Sequence, residues 1–113
     1  MIDHVRPAQL SAWFASAPEG SRPLVLDVRE PWELQTASVK ADGFTLVAIP
    51  MGEIPARLAE LDAATPVACL CHHGARSQRV AQFLAGNGFT QVANIAGGID
   101  AWSAERDPSV PRY

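Results

Sequence analysis

Apolar residues fall along this chain in short runs separated by turn residues, and the runs alternate between two periodicities. Leu24-Val25-Leu26-Asp27-Val28 and Val67-Ala68-Cys69-Leu70-Cys71 are nearly continuous apolar stretches, one entered through Gly20-Ser21-Arg22-Pro23 and the other through Thr65-Pro66. That pattern predicts strands covered on both faces. Leu46-Val47-Ala48-Ile49, ended by Pro50, and Val92-Ala93-Asn94-Ile95 predict further buried strands. Helical spacing fills the intervals. Leu10, Trp13 and Phe14 follow Pro7 at first-turn distance; Ile54, Leu58 and Leu61 share one face of a segment from Glu53 to Leu61; Val80, Ala81, Phe83 and Leu84 form a stripe after about Arg76. Asn87-Gly88-Phe89 supplies a stop for the last of these. A short helix is predicted over Pro31 to Thr36, and another after Gly97-Gly98, holding Trp102.

Strands alternating with helices, the strands apolar throughout, predict an α/β fold: an open parallel sheet of about five strands with helices on both faces. With 113 residues the chain fits one core, so a single domain is expected over 1–106, with an extended, proline-containing tail over 107–113. In such sheets the site lies beyond the carboxyl ends of the strands. Asp27 and Cys71 both fall there.

Composition narrows the function classes. Apolar residues make up 48% of the chain and charged ones 19%, proportions of a globular protein with a packed core. The formal charge of −3, with scattered Lys and Arg and no basic stripe, speaks against nucleic acid as a partner. Charges or prolines interrupt every hydrophobic stretch before it approaches the roughly 20 residues of a membrane span. The early acid and proline of Met1-Ile2-Asp3-His4-Val5-Arg6-Pro7 do not suit an export signal, so a cytoplasmic location is expected. The two cysteines, Cys69 and Cys71, are too close in sequence for a scaffold disulfide. They are present for chemistry or for packing.

The informative stretch is Cys71-His72-His73-Gly74-Ala75-Arg76-Ser77. A cysteine at a strand end, a glycine in a tight loop, and arginine with serine opening a helix make an anion cradle. Successive N–H groups of such a loop point at its centre, and the helix dipole adds partial positive charge. A thiolate, or the terminal sulfur of a persulfide, is stabilised by those donors. Arg76 is expected to contact substrate or the sulfur anion, since a cation at a helix start opposes the dipole and invites a functional explanation. Cys69, inside the strand, is expected to pack as a small hydrophobe. His72 and His73 are expected to be exposed loop residues that contribute backbone N–H groups; beside one thiolate they lack the further spaced ligands of a zinc site.

This loop resembles the active-site loop of the rhodanese family, in which a cysteine, a short glycine-containing loop, arginine and serine lead into a helix. Leu26-Asp27-Val28-Arg29-Glu30 with Glu33 resembles the family's first signature, and Gly97-Gly98-Ile99-Asp100-Ala101-Trp102 its closing one, so the likeness spans nearly the whole chain in the right order. The resemblance implies a sulfurtransferase. Cys71 would take sulfane sulfur from a donor such as thiosulfate and pass it, through a persulfide, to cyanide or a thiol, with no metal or organic cofactor. Asp27 and Arg29 would support the loop without making bonds to substrate. The implied partners are a small-molecule donor, a thiol or cyanide acceptor and a thiol-bearing protein, with the chain a monomer or weak homodimer. One departure stands out: where the family has a Gly-His-Ile-x-Gly-Ala stretch, this chain has Ala37-Ser38-Val39-Lys40-Ala41-Asp42-Gly43-Phe44.

Two other functions compete. A non-catalytic rhodanese-like binding module would share the fold, although retention of Cys71, Gly74 and Arg76 speaks against it. A cysteine-dependent phosphatase or arsenate reductase also closes a thiolate cradle with arginine, but its loop is one residue longer than the four residues between Cys71 and Arg76.

Overall fold

A computed structural model of the chain describes residues 2–113. Five strands form one parallel sheet in the order β1-β5-β4-β2-β3: β1 (Asp3–Val5), β2 (Leu24–Asp27), β3 (Thr45–Ala48), β4 (Val67–Leu70) and β5 (Val92–Ile95). Five α-helices, α1 (Leu10–Ala15), α2 (Pro31–Thr36), α3 (Ile54–Arg57), α4 (Ala75–Gly86) and α5 (Gly98–Glu105), lie around it. The parallel sheet with helices on both faces is the fold expected from the alternation of patterns.

The period-2 geometry of a strand sorts the apolar runs into two cores. Val25, Ala68 and Leu70 point to one face and pack with Leu10 of α1 and with Ile99 and Trp102 of α5. Leu26, Cys69 and Cys71 point to the other and pack with Ile54 of α3 and with Val80, Ala81 and Leu84 of α4. The two cysteines therefore share a face, and β4 is covered on both sides. Cys69 is fully buried and its thiol is pushed far up by that burial, with the neighbouring Cys71 adding to the effect; it packs inertly, as expected.

Three local expectations are corrected. The strand predicted at Leu46–Ile49 runs over Thr45–Ala48 and is half-exposed, because β3 is the sheet edge. The helix predicted over Glu53–Leu61 is broken into a 3₁₀ turn at Met51–Glu53, the single α-turn of α3, and a second 3₁₀ turn at Leu58–Glu60. Phe83, assigned to the buried stripe of α4, is exposed at the rim of a hollow lined also by Met51, Ile54, Pro55, Arg79 and Val80. The sequence leaves the path of the tail open, and the structure packs it back on the domain: Val110 is buried in the core with α5, and the Ser103 hydroxyl donates to its carbonyl at 2.7 Å.

The segment that departs from the family pattern is held by packing. Ala37, Val39 and Phe44 are buried in the first core, and the Phe44 ring meets Trp102 edge-on at 5.9 Å. Apolar side chains pin this connection without the histidine.

Candidate active site

Cys71 is the first residue beyond β4, and the chain turns at once through His72, His73 and Gly74 into α4. Gly74 has φ +110°, a left-handed conformation that a β-carbon penalises. The turn brings the Gly74 N–H back onto Cys71 Sγ at 3.0 Å. Ser77, in the first turn of α4, places its hydroxyl 3.2 Å from the same sulfur and donates its proton to Asn94 Oδ1 of β5 at 2.5 Å. With that proton spent on Asn94, the Ser77 oxygen is the acceptor for the Cys71 thiol. The amides of Ala75, Arg76 and Ser77 open α4 and have no carbonyl one turn earlier within the helix. All of this lies at the positive end of a three-turn helix dipole.

The loop's carbonyls are held from the other side. Ile99 N–H donates to Cys71 O at 2.9 Å and Asp100 N–H to His72 O at 3.2 Å, so the first turn of α5 grips the backbone of the loop. This is what the closing glycine signature does: it lays α5 against the loop and ties up the Cys71 and His72 carbonyls, while the Gly74 N–H faces the sulfur.

Asp27 and Arg29 form a wholly buried pair behind the loop. The guanidinium of Arg29 takes both Asp27 oxygens at 2.7 to 3.1 Å and also donates to Glu33 O and to the Tyr113 hydroxyl. Arg76 is paired with a carboxylate. Its two terminal nitrogens donate to the two oxygens of Glu33 at 2.5 and 2.8 Å, a bidentate pair in which the carboxylate is buried and the guanidinium partly exposed. His72 is half-buried and His73 exposed, their rings stacked at 3.9 Å. Among the described residues, no group of three His, Cys, Asp or Glu side chains gathers as a metal site.

Three residues belong to this site that the sequence patterns did not single out as participants. Glu33 joins Arg76, the Tyr113 hydroxyl at 2.6 Å and the Glu30 N–H at 3.1 Å. Asn94 receives the Ser77 proton; its signal was a polar residue in an otherwise apolar, fully buried four-residue strand. Tyr113 comes from the tail, which carries no periodic signal.

The Arg76 guanidinium, reinforced by the Tyr113 hydroxyl and Glu30 N–H and opposed by burial, lowers the Glu33 carboxyl from 4.5 to about 2. A folded-state value below the unfolded one contributes stability that is fully present above about pH 4.5 and lost as the pH falls toward 2. Acid titration of the unfolding free energy should therefore show a loss on the order of 2 to 3 kcal/mol across that window. In Glu33→Gln most of that slope should be gone; an identical acid profile for the two proteins would refute the assignment.

Comparison with known proteins agrees with this geometry. A family model described as "Rhodanese-like domain" matches residues 10–105. The chain is 39% identical over 93 residues to a rhodanese-like/PpiC domain-containing protein 12 of Arabidopsis thaliana, covering 79% of this chain and 30% of that one. It is 34% identical over 101 residues to thiosulfate sulfurtransferase GlpE of Vibrio cholerae, covering 89% and 91%. The first four curated relatives are longer proteins, of which the chain spans 21% to 43%. Among solved structures, a rhodanese-related protein of Thermoplasma volcanium superposes with a TM-score of 0.75 at 30% identity, over 98% of this chain and 99% of that one. A match that runs from α1 to the last residue of α5 takes in all three motifs and the sheet that brings them together, and on that ground the chain belongs to the rhodanese-like domain family.

Proposed function

We propose that this protein is a sulfurtransferase that takes sulfane sulfur from a donor such as thiosulfate onto Cys71 and passes it to cyanide or a thiol. The observation that carries the reading is the Gly74 N–H aimed at Cys71 Sγ at 3.0 Å, at the head of α4. An anionic sulfur there is met by an amide donor and the helix dipole.

The transfer is ping-pong. The Cys71 thiolate attacks the outer sulfur of thiosulfate; the new S–S bond forms on Sγ as the sulfur–sulfur bond of the donor breaks, and sulfite leaves with the electron pair. The acceptor then attacks the outer sulfur of the Cys71 persulfide, forming thiocyanate from cyanide or a new persulfide from a thiol, and the Cys71 thiolate departs. When Cys71 loses its proton, the Ser77 hydroxyl turns from Asn94 to donate to Sγ beside the Gly74 N–H. Asp27 and Arg29 hold the floor of the loop in place. Because Arg29 and Arg76 are each matched by a carboxylate, a dianionic donor gains little net attraction from them, and affinity for thiosulfate should be modest. The acceptor includes a thiol-bearing protein in this reading, and a reducing compartment such as the cytoplasm would keep Cys71 ready as a thiol. Among the described residues, no helix is long and apolar enough to cross a membrane.

The test is intact mass after incubation with thiosulfate. The expected result is gain of a single sulfur atom, reversed by cyanide. No gain with any sulfane donor would leave a rhodanese-like binding module instead.

A further inference from the structure

Cys71 is only 1% exposed, so something must govern entry to its sulfur. The tail packs against the residue that follows Cys71. After α5 the chain turns at Asp107, whose carboxylate accepts from Ser109 N and Oγ, buries Val110, and pairs Arg112 with Asp100 at 2.9 and 3.0 Å. These anchors deliver Tyr113 onto the loop. Its ring lies parallel to His72, 7° from coplanar with centroids 3.9 Å apart, and its main-chain oxygen accepts from His72 Nε2 at 2.6 Å. At the other end its hydroxyl donates to Glu33 Oε2 at 2.6 Å and accepts from Arg29 at 3.1 Å. Glu33 Oε2 is also the oxygen that takes Arg76 Nη2. The phenol thus spans from the first residue after Cys71 to the carboxylate that pairs with Arg76. Trp32, exposed beside it, meets its ring edge-on at 6.3 Å.

Resting on the sulfur-transfer reading, we propose that Tyr113 is a positioning residue that lies across the mouth of the 72–76 loop and limits by size what reaches Cys71. The ring is held by one stack and by polar contacts at its two ends. Each polar contact has a substitute when the ring lifts: Glu33 keeps Arg76, Arg29 keeps Asp27, and His72 meets water. Opening is therefore a local event, well below the cost of unfolding. Small donors pass with a slight displacement of the ring, whereas a bulky thiol or disulfide needs it to swing away.

The experiment measures alkylation of Cys71 under native conditions with iodoacetamide and with a bulky fluorescein maleimide, the site read by peptide mass. Cys69, buried and inert, reports unfolding. In Tyr113→Ala the maleimide rate should rise about 10-fold or more and the iodoacetamide rate less than about 3-fold, since only the larger reagent waits for the opening. Tyr113→Phe keeps the stack and should fall between the wild type and Tyr113→Ala. Equal acceleration of both reagents, or none, overturns the inference. If Tyr113→Ala exposes Cys69, the decision passes to Tyr113→Phe, where an unchanged ratio of the two rates overturns it. Sulfur gain in the wild type without this size selection would sink the gate and leave the sulfurtransferase standing; size selection without sulfur gain would do the reverse.

Discussion

Cys71→Ser should abolish sulfur uptake from every donor while leaving the fold nearly as stable as before. The reaction needs a sulfur nucleophile that can hold another sulfur in a bond weak enough to break in the next step; an alkoxide at this position cannot do so, and its alcohol stays protonated at neutral pH. The site meanwhile suits a hydroxyl. Gly74 N–H and the Ser77 oxygen already converge on the side-chain atom, so a serine there is buried with partners in place of the thiol. A polar atom so satisfied costs about 1 kcal/mol or less. Mass spectrometry after thiosulfate or persulfide treatment should show no added sulfur, and thermal unfolding should shift by only a few degrees. Retained sulfur gain in Cys71→Ser would move the chemistry elsewhere, and Cys69 is poorly placed for it because the core encloses its thiol.

Most of the fold was legible because the strands next to the site are buried on both faces, and continuous apolar runs such as 24–28 and 67–71 have few other uses. What escaped notice did so for identifiable reasons. The first strand, Asp3–Val5, has three residues of which only Val5 is buried; it exists because Val5 pairs with Ile95, a relation across the chain that no local pattern encodes. Phe83 follows Val80 by three positions and so joins the helical stripe on paper, yet it sits at the margin of α4, where the broken segment 51–60 leaves the rim open. In the site, the cysteine, glycine and helix start are local, and the chain displays them in order. The partners are not local. Glu33 meets Arg76 from 43 positions away, and Tyr113 meets Glu33 from 80. Arg76, a cation that opposes the dipole at a helix start, invites a functional reading from the sequence alone, and its pairing with Glu33 is invisible there because the two lie so far apart along the chain.

Gly98→Ala should be the most damaging single-methyl change in the molecule. Gly98 opens α5 with φ +59°, the left-handed region in which a β-carbon is strained by about 1 to 2 kcal/mol. The larger penalty is steric. A methyl group there would run into the carbonyls of Cys71 and His72, the first at 2.5 Å, and these are backbone atoms with no rotamer to change. They are also the acceptors of Ile99 and Asp100, so moving them breaks the two hydrogen bonds that seat the loop on α5. The total should come to about 3 to 5 kcal/mol, or roughly 13 to 21 °C in unfolding temperature. At temperatures where the variant is still folded, sulfur uptake by Cys71 should fall by at least about tenfold, because the turn that aims the Gly74 N–H at Sγ shifts with the carbonyls. Thermal denaturation together with the rate of sulfur gain checks both parts. A Gly98→Ala protein that unfolds with the wild type and loads sulfur at the same rate would mean that α5 does not hold the loop, and that the cradle keeps its shape without it.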